Sequence, residues 1–185
     1  MLFRSAEELA ARGHHAELWA LTIGGSGLAV GPGVATHQVP LAPVAGGAMP
    51  DRVDRAARTL ADALRQAPPA DIHHAQDLLS ARALLALRAD GVIGDVIRTV
   101  HHVEAFGDRF LDECQRASIQ DVDRCIAVSS FWADRLADEF GVVAPVVPNG
   151  VDAARFADCP LDRPAAGGRI DRKSTRLNSS HEWIS

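Results

Sequence analysis

Residues 124–152, RCIAVSSFWADRLADEFGVVAPVVPNGVD, decide the fold of this chain. Cys125 to Val128 is a short apolar run of β-formers and reads as a strand. Ser129 and Ser130 follow, and a serine oxygen accepts well from the orphan N–H groups of a first helical turn. Trp132, Ala133, Leu136, Ala137 and Phe140 then recur at helical spacing, with Asp134, Arg135, Asp138 and Glu139 between them. Gly141 ends that helix. Val142 to Val147 reads as the next buried strand, interrupted by Pro145 and broken by Pro148-Asn149-Gly150, where the Asn-Gly pair suits a turn that needs φ > 0.

The same alternation extends back toward the start. Ala6–Gly13 has the look of the last turns of a helix, and Ala16–Ile23 of a strand. Gly24–Gly33 is glycine-rich, but no helix opens after it and no Lys-Ser/Thr pair stands in it. It reads as a surface loop rather than a phosphate cradle. Ala35–Leu41 is a short strand. A helix begins at Pro50-Asp51, with Asp51 as its cap and Val53, Ala57, Leu60, Ala61 and Leu64 on its buried face. Asp71–His74 is a brief strand, Leu78–Leu87 a helix stopped at Asp90-Gly91, and Val96–Val100 a strand. The stretch Phe106–Ile119 is irregular to helical. Arg98 is expected at the surface, paired with Asp95. Strands joined by helix-sized connections imply a doubly wound parallel α/β sheet.

Composition agrees with a globular domain: 185 residues, 47% hydrophobic and 23% charged, with a formal net charge of −5. An acidic chain argues against nonspecific nucleic-acid binding. No apolar run approaches the ~18 residues of a membrane span. Cys114, Cys125 and Cys159 fit no zinc spacing and read as thiols in a reducing, cytoplasmic setting, with Cys125 in the core. The two ends differ from the rest. Residues 171–185, DRKSTRLNSSHEWIS, hold the only lysine, Lys173, and resemble a translated sequencing adapter, as does Leu2-Phe3-Arg4-Ser5. The reading therefore divides the chain into adapter-derived residues 1–5, a domain over 6–153, the start of an interdomain linker over 154–170, and a disordered adapter-derived tail over 171–185. The first strand of the fold, with its glycine-rich turn, is expected ahead of Ala6.

Asp123 to Ser129, DRCIAVS, followed by a helix and then Val146 to Asp152, VVPNGVD, together resemble the end of the first domain of a family 4 glycosyltransferase. The resemblance runs from Ala6 to about Phe156. It implies the Rossmann-like N-terminal half of a GT-B two-domain enzyme, truncated at both ends. Such enzymes move a sugar from a nucleotide-sugar donor to an acceptor hydroxyl with retention of configuration. The acceptor is a small molecule, lipid or glycan, so peripheral membrane contact is compatible with the chemistry. The family's second domain holds the nucleotide. The chain alone is thus expected to be inactive, with no cofactor, no metal and no nucleic acid as partner.

Ligands of open parallel sheets bind beyond the carboxyl ends of the strands. Four places end strands here: His73–Asp77, His101–Glu104, Ser129-Ser130 and Asn149–Asp152. Thr99-Val100-His101 resembles the family's T-x-H, whose histidine contacts the donor sugar near the reacting carbon, so His101 is the catalytic candidate. His102, where the family often has an acid, joins Ser129, Asn149, Gly150 and Asp152 as substrate-binding candidates. The two His pairs invite a metal site. Adjacent strand residues point to opposite faces, so a third ligand, Asp77 or Glu104, would be needed. Strand-end histidines bonded to backbone or water are the plainer reading. Glu104 and Asp108 as a glycosidase acid pair rank lower. The rival functional classes are a non-catalytic α/β ligand-binding domain and a GT-B-type nucleotide-sugar epimerase.

Overall fold

A computed structural model describes residues 4–24, 30–43 and 46–150. The chain divides into two units, residues 1–149 and 150–185, and the first contains every element below. The elements run α1 (Arg4–Ala11), β1 (Ala16–Thr22), β2 (Val34–Pro40), α2 (Met49–Leu64), β3 (His73–Ala75), α3 (Leu78–Ala89), β4 (Val96–Val100), α4 (Arg109–Gln120), β5 (Arg124–Ala127) and α5 (Ser130–Phe140). This is an α/β fold of parallel strands, as the alternation predicts.

The strands form two sheets, β1-β2 and β3-β4-β5, every pair parallel. One apolar core nevertheless spans both: Val39 of β2 packs with Leu60 of α2, Ala75 of β3, Leu84 and Leu87 of α3 and Val96 of β4. No described strand joins the two sheets. A second cluster joins Val100, Ile119, Cys125, Ala127 and Leu136, fixing α4 and α5 to β4 and β5.

Local chemistry accounts for the helix ends. Asp77 caps α3 by accepting from the Ser80 N–H at 2.7 Å, and Ser80 Oγ accepts in return from the Asp77 N–H at 3.1 Å. Asp108 caps α4 through the Leu111 N–H. Gly141 closes α5 at φ 69°, and its own N–H and that of Val142 are donated to the Ala137 and Leu136 carbonyls. Any L side chain would be strained at that φ. Asp123, the first residue of the DRCIAVS motif, anchors the start of β4. Its Oδ2 accepts from the Val96 N–H at 2.8 Å and from Arg88 at 2.6 Å. Those bonds, the backbone one foremost, hold its carboxyl below the usual range.

Three expectations are corrected. Residues 142–147 form no strand. They make one parallel bridge, Ala127 to Val146, with Ala127 N–H donating to the Pro145 carbonyl and Val147 N–H to that of Ala127. Pro145 lacks an N–H to extend the ladder, and Val143 is 91% exposed. The cap of α2 is Ala48, without a side-chain bond, while Asp51 lies inside the first turn. There it faces the positive end of the helix dipole instead. The described residues of the Gly24–Gly33 stretch are not helical, in keeping with its reading as a loop. Within it the Gly31 N–H donates to Glu7 Oε1 at 2.7 Å, and a Cβ on Gly31 would meet that oxygen at 2.9 Å. The glycine serves a carboxylate of the chain itself. Finally, Arg98 is buried, 5% exposed, rather than a surface partner of Asp95. Strand alternation puts it on the same face as Val96 and Val100.

Candidate functional site

Because β3, β4 and β5 are parallel, their carboxyl ends share one edge. The residues that follow them there are Gln76 and Asp77, then His101 to Glu104, then Ser129.

A chain of side-chain hydrogen bonds links the first two groups. His101 Nε2 lies 3.0 Å from Gln76 Oε1. The Gln76 amide nitrogen lies 3.2 Å from His74 Nε2, which is also 2.8 Å from Thr99 Oγ1. An amide oxygen only accepts and an amide N–H only donates. His101 therefore donates from Nε2, while His74 accepts on Nε2 and is neutral in this arrangement. Burial pushes the His101 pKa below its ordinary 6.5, and neighbouring His102 and Arg98 add to that against the opposing pull of Asp77. His74 is pushed down by desolvation and then by His101. The partners of His74 are thus side chains, where backbone or water was expected.

His102 Nε2 lies 2.6 Å from Glu104 Oε1. Glu104 is tied to α4 through its backbone: its N–H donates to Gln115 Oε1 and its carbonyl accepts from Gln115 Nε2. Beside it opens a recess of about 390 Å³ lined by Val103, Glu104, Gln115, Arg116, Arg135 and Phe140, among others. A second cleft, of about 360 Å³, lies between α2, α3 and α4 around the Arg82–Asp54 ion pair, on helices rather than at strand ends. Asp108 is committed to capping α4 and Glu104 faces His102, so the glycosidase pairing finds no support. Among the described residues, no three His, Cys, Asp or Glu side chains are placed to share a metal ion.

Ser129, half-buried, caps α5, with the Trp132 N–H 3.4 Å from its Oγ. Asn149 is exposed, and so is Gly150, the first residue of the second unit. Neither has a positive φ, so the turn expected of this pair does not form. Asp152 lies outside the described residues. The structure thus gathers His101, His102 and Ser129 on one edge. It adds Gln76 and Arg98, which the sequence reading passed over. Period-2 alternation in Val96–Val100 was a usable signal for Arg98, while the Gln76 bond depends on the pairing of β3 with β4.

Cys114 and Cys125 are buried free thiols. No helix among the described residues is long and apolar enough to cross a membrane. No curated protein matches the sequence. The profile of Glycosyltransferase Family 4 matches residues 1–155. With its parallel α/β fold and the DRCIAVS and VPNGVD motifs, the chain belongs to glycosyltransferase family 4 and covers the N-terminal domain region of its GT-B architecture.

Proposed function

We infer that this domain forms the acceptor side of a retaining glycosyltransferase, with His101 beside the donor sugar. Family membership implies a nucleotide-sugar donor and an acceptor. Retention, a hexosyl donor, a cytoplasmic setting and the named site residues are this reading's own content. The observation that carries it is the state of His101. Its Nε2–H is committed to Gln76, which leaves Nδ1 free to accept from a sugar hydroxyl. Its pKa is lowered chiefly by burial, which keeps the ring neutral at pH 7. Glycosyl transfer passes through a centre with oxocarbenium character. A neutral imidazole holds the sugar without adding positive charge beside that centre, whereas an imidazolium would oppose it.

The recess beside Glu104 suits acceptor hydroxyls, since acids, amides and guanidinium groups line it. Asn149, Gly150 and Asp152 extend the contact surface in this reading. The leaving diphosphate needs cations positioned for the transition state. The family's second domain holds the nucleotide, so in this reading transfer depends on a domain beyond residues 4–150.

The test uses the full chain with histidines labelled by ¹⁵N. Simple glycosides, UDP-glucose and GDP-mannose are titrated while the imidazole signals are followed. A saturable shift of His101 Nδ1, lost in His101→Ala, is expected, with no nucleotide diphosphate released. Sugar binding that leaves His101 unmoved would refute its role. Transfer by the chain alone would refute the need for the second domain.

A further inference from the structure

Among the described residues, Arg98 has the most buried side-chain nitrogens without a hydrogen-bond partner. It sits in the middle of β4, paired in register with Ala75 and Cys125 and three residues before His101. It is 5% exposed, and its Nε and Nη1 are buried with no hydrogen-bond partner. Burial pulls its pKa down to about 10, so it stays charged at neutral pH. Asp77 is near enough to favour that charge, but its Oδ1 is occupied by the Ser80 N–H and hydroxyl as the cap of α3. The Cys125 Sγ–H donates to the Ile119 carbonyl, and burial keeps that thiol protonated. An uncompensated buried charge is strongly unfavourable, and loss of its partner is what usually exposes it.

We propose that Arg98 binds an oxyanion of the substrate, a phosphate or carboxylate, at the edge where β3 and β4 end. A guanidinium offers parallel N–H donors that match such groups in a bidentate fork. His101 and Arg98 already sense each other's charge, so an anion held by Arg98 would be felt at the imidazole. The identity of the ligand as a substrate rests on the glycosyltransferase reading. The anion site does not. The anion has two sources, the donor's diphosphate or an acidic group on the acceptor.

The full chain, labelled with ¹⁵N, is titrated with sodium phosphate at constant ionic strength against chloride. The Arg98 Nε–Hε signal and the His101 ring signals should move together along one saturation curve, and the His101 pKa should rise as negative charge arrives. Arg98→Met should weaken both responses at least tenfold, and Arg98→Lys should keep a reduced His101 response. Parallel titrations with UDP, glycerol 3-phosphate and acetate separate the sources: tighter binding of UDP indicates the donor, and of either of the others an acidic acceptor. An Arg98 signal unmoved by all four anions overturns the proposal and leaves internal water as the partner. So does phosphate binding by Arg98→Met equal to that of the parent chain. Should Arg98→Met fail to fold, the Arg98 signal of the parent and the Arg98→Lys response still decide. A His101 response to saccharides without any response to anions would sink this inference alone. The reverse pattern would sink only the sugar-transfer reading.

Discussion

Replacing Gln76 by leucine removes the middle of the chain Thr99–His74–Gln76–His101. Two hydrogen bonds go, at 3.0 and 3.2 Å. A typical intramolecular bond contributes a net ~0.5–1.5 kcal/mol, and a donor left buried without an acceptor costs ~1–3 kcal/mol. His101 is half-buried, so its Nε2–H is left without an acceptor in partly desolvated surroundings, whereas His74 keeps its bond to Thr99. The expected destabilisation of Gln76→Leu is therefore about 1–3 kcal/mol, read from urea unfolding. A second consequence is specific to the proposed arrangement. With its acceptor gone, His101 is released from the Nε2–H tautomer. Long-range ¹H–¹⁵N spectra at pH 7.5 distinguish protonated from bare ring nitrogens. In the parent chain they should show Nε2–H for His101 and a bare Nε2 for His74, and in the variant a mixture at His101. Gln76→Glu should instead raise the His101 pKa, since a carboxylate facing Nε2 favours the imidazolium. A parent chain in which His101 carries its proton on Nδ1, or is already cationic at pH 7.5, would refute the reasoning. So would a Gln76→Leu variant within a few tenths of a kcal/mol of the parent.

Stability should fall as the pH drops below about 6.5. His73, His74 and His101 all have lowered folded-state pKa values, each chiefly through burial. The unfolded chain therefore binds more protons in that window, and the stabilisation, fully present above the ordinary value of 6.5, is lost as the pH falls through the folded pKa values. Urea midpoints measured from pH 8 to pH 5 that stay flat or rise would contradict this. Leu136→Ala should cost about 2–5 kcal/mol in the same assay, because Leu136 is completely buried between β4, β5 and α4 and leaves a cavity. Asp77→Ala should cost about 0.5–2 kcal/mol by uncapping α3. Circular dichroism melts that superimpose on those of the parent would show that the cap contributes nothing.

Much of the strand and helix order was legible locally. Val96–Val100 shows β-type alternation, and Ser129 and Gly141 bracket a helix with apolar residues on one stripe, so each boundary follows from a residue that can or cannot satisfy its neighbours. The miss at Val142–Val147 has a tertiary cause. An apolar run rich in valine forms a strand only where a neighbour supplies a full ladder, and here Ala127 supplies two bonds beside a proline. The miss at Arg98 was avoidable: its parity with Val96 and Val100 already buried it. A charged residue reads as surface by default, and that default hid the parity.

By itself the sequence determined the parallel α/β class, the family and the strand ends at which chemistry can occur. Connectivity and turn chemistry are local, and parallel strands must present their carboxyl ends together. It also marked His101. Only the tertiary structure decided the surroundings of that histidine. Its Nε2 partner is Gln76, 25 positions away in sequence, and its lowered pKa comes from burial, then from His102 and Arg98. Those are properties of the register of β3 on β4 and of what covers the sheet, and no stretch of sequence carries them alone.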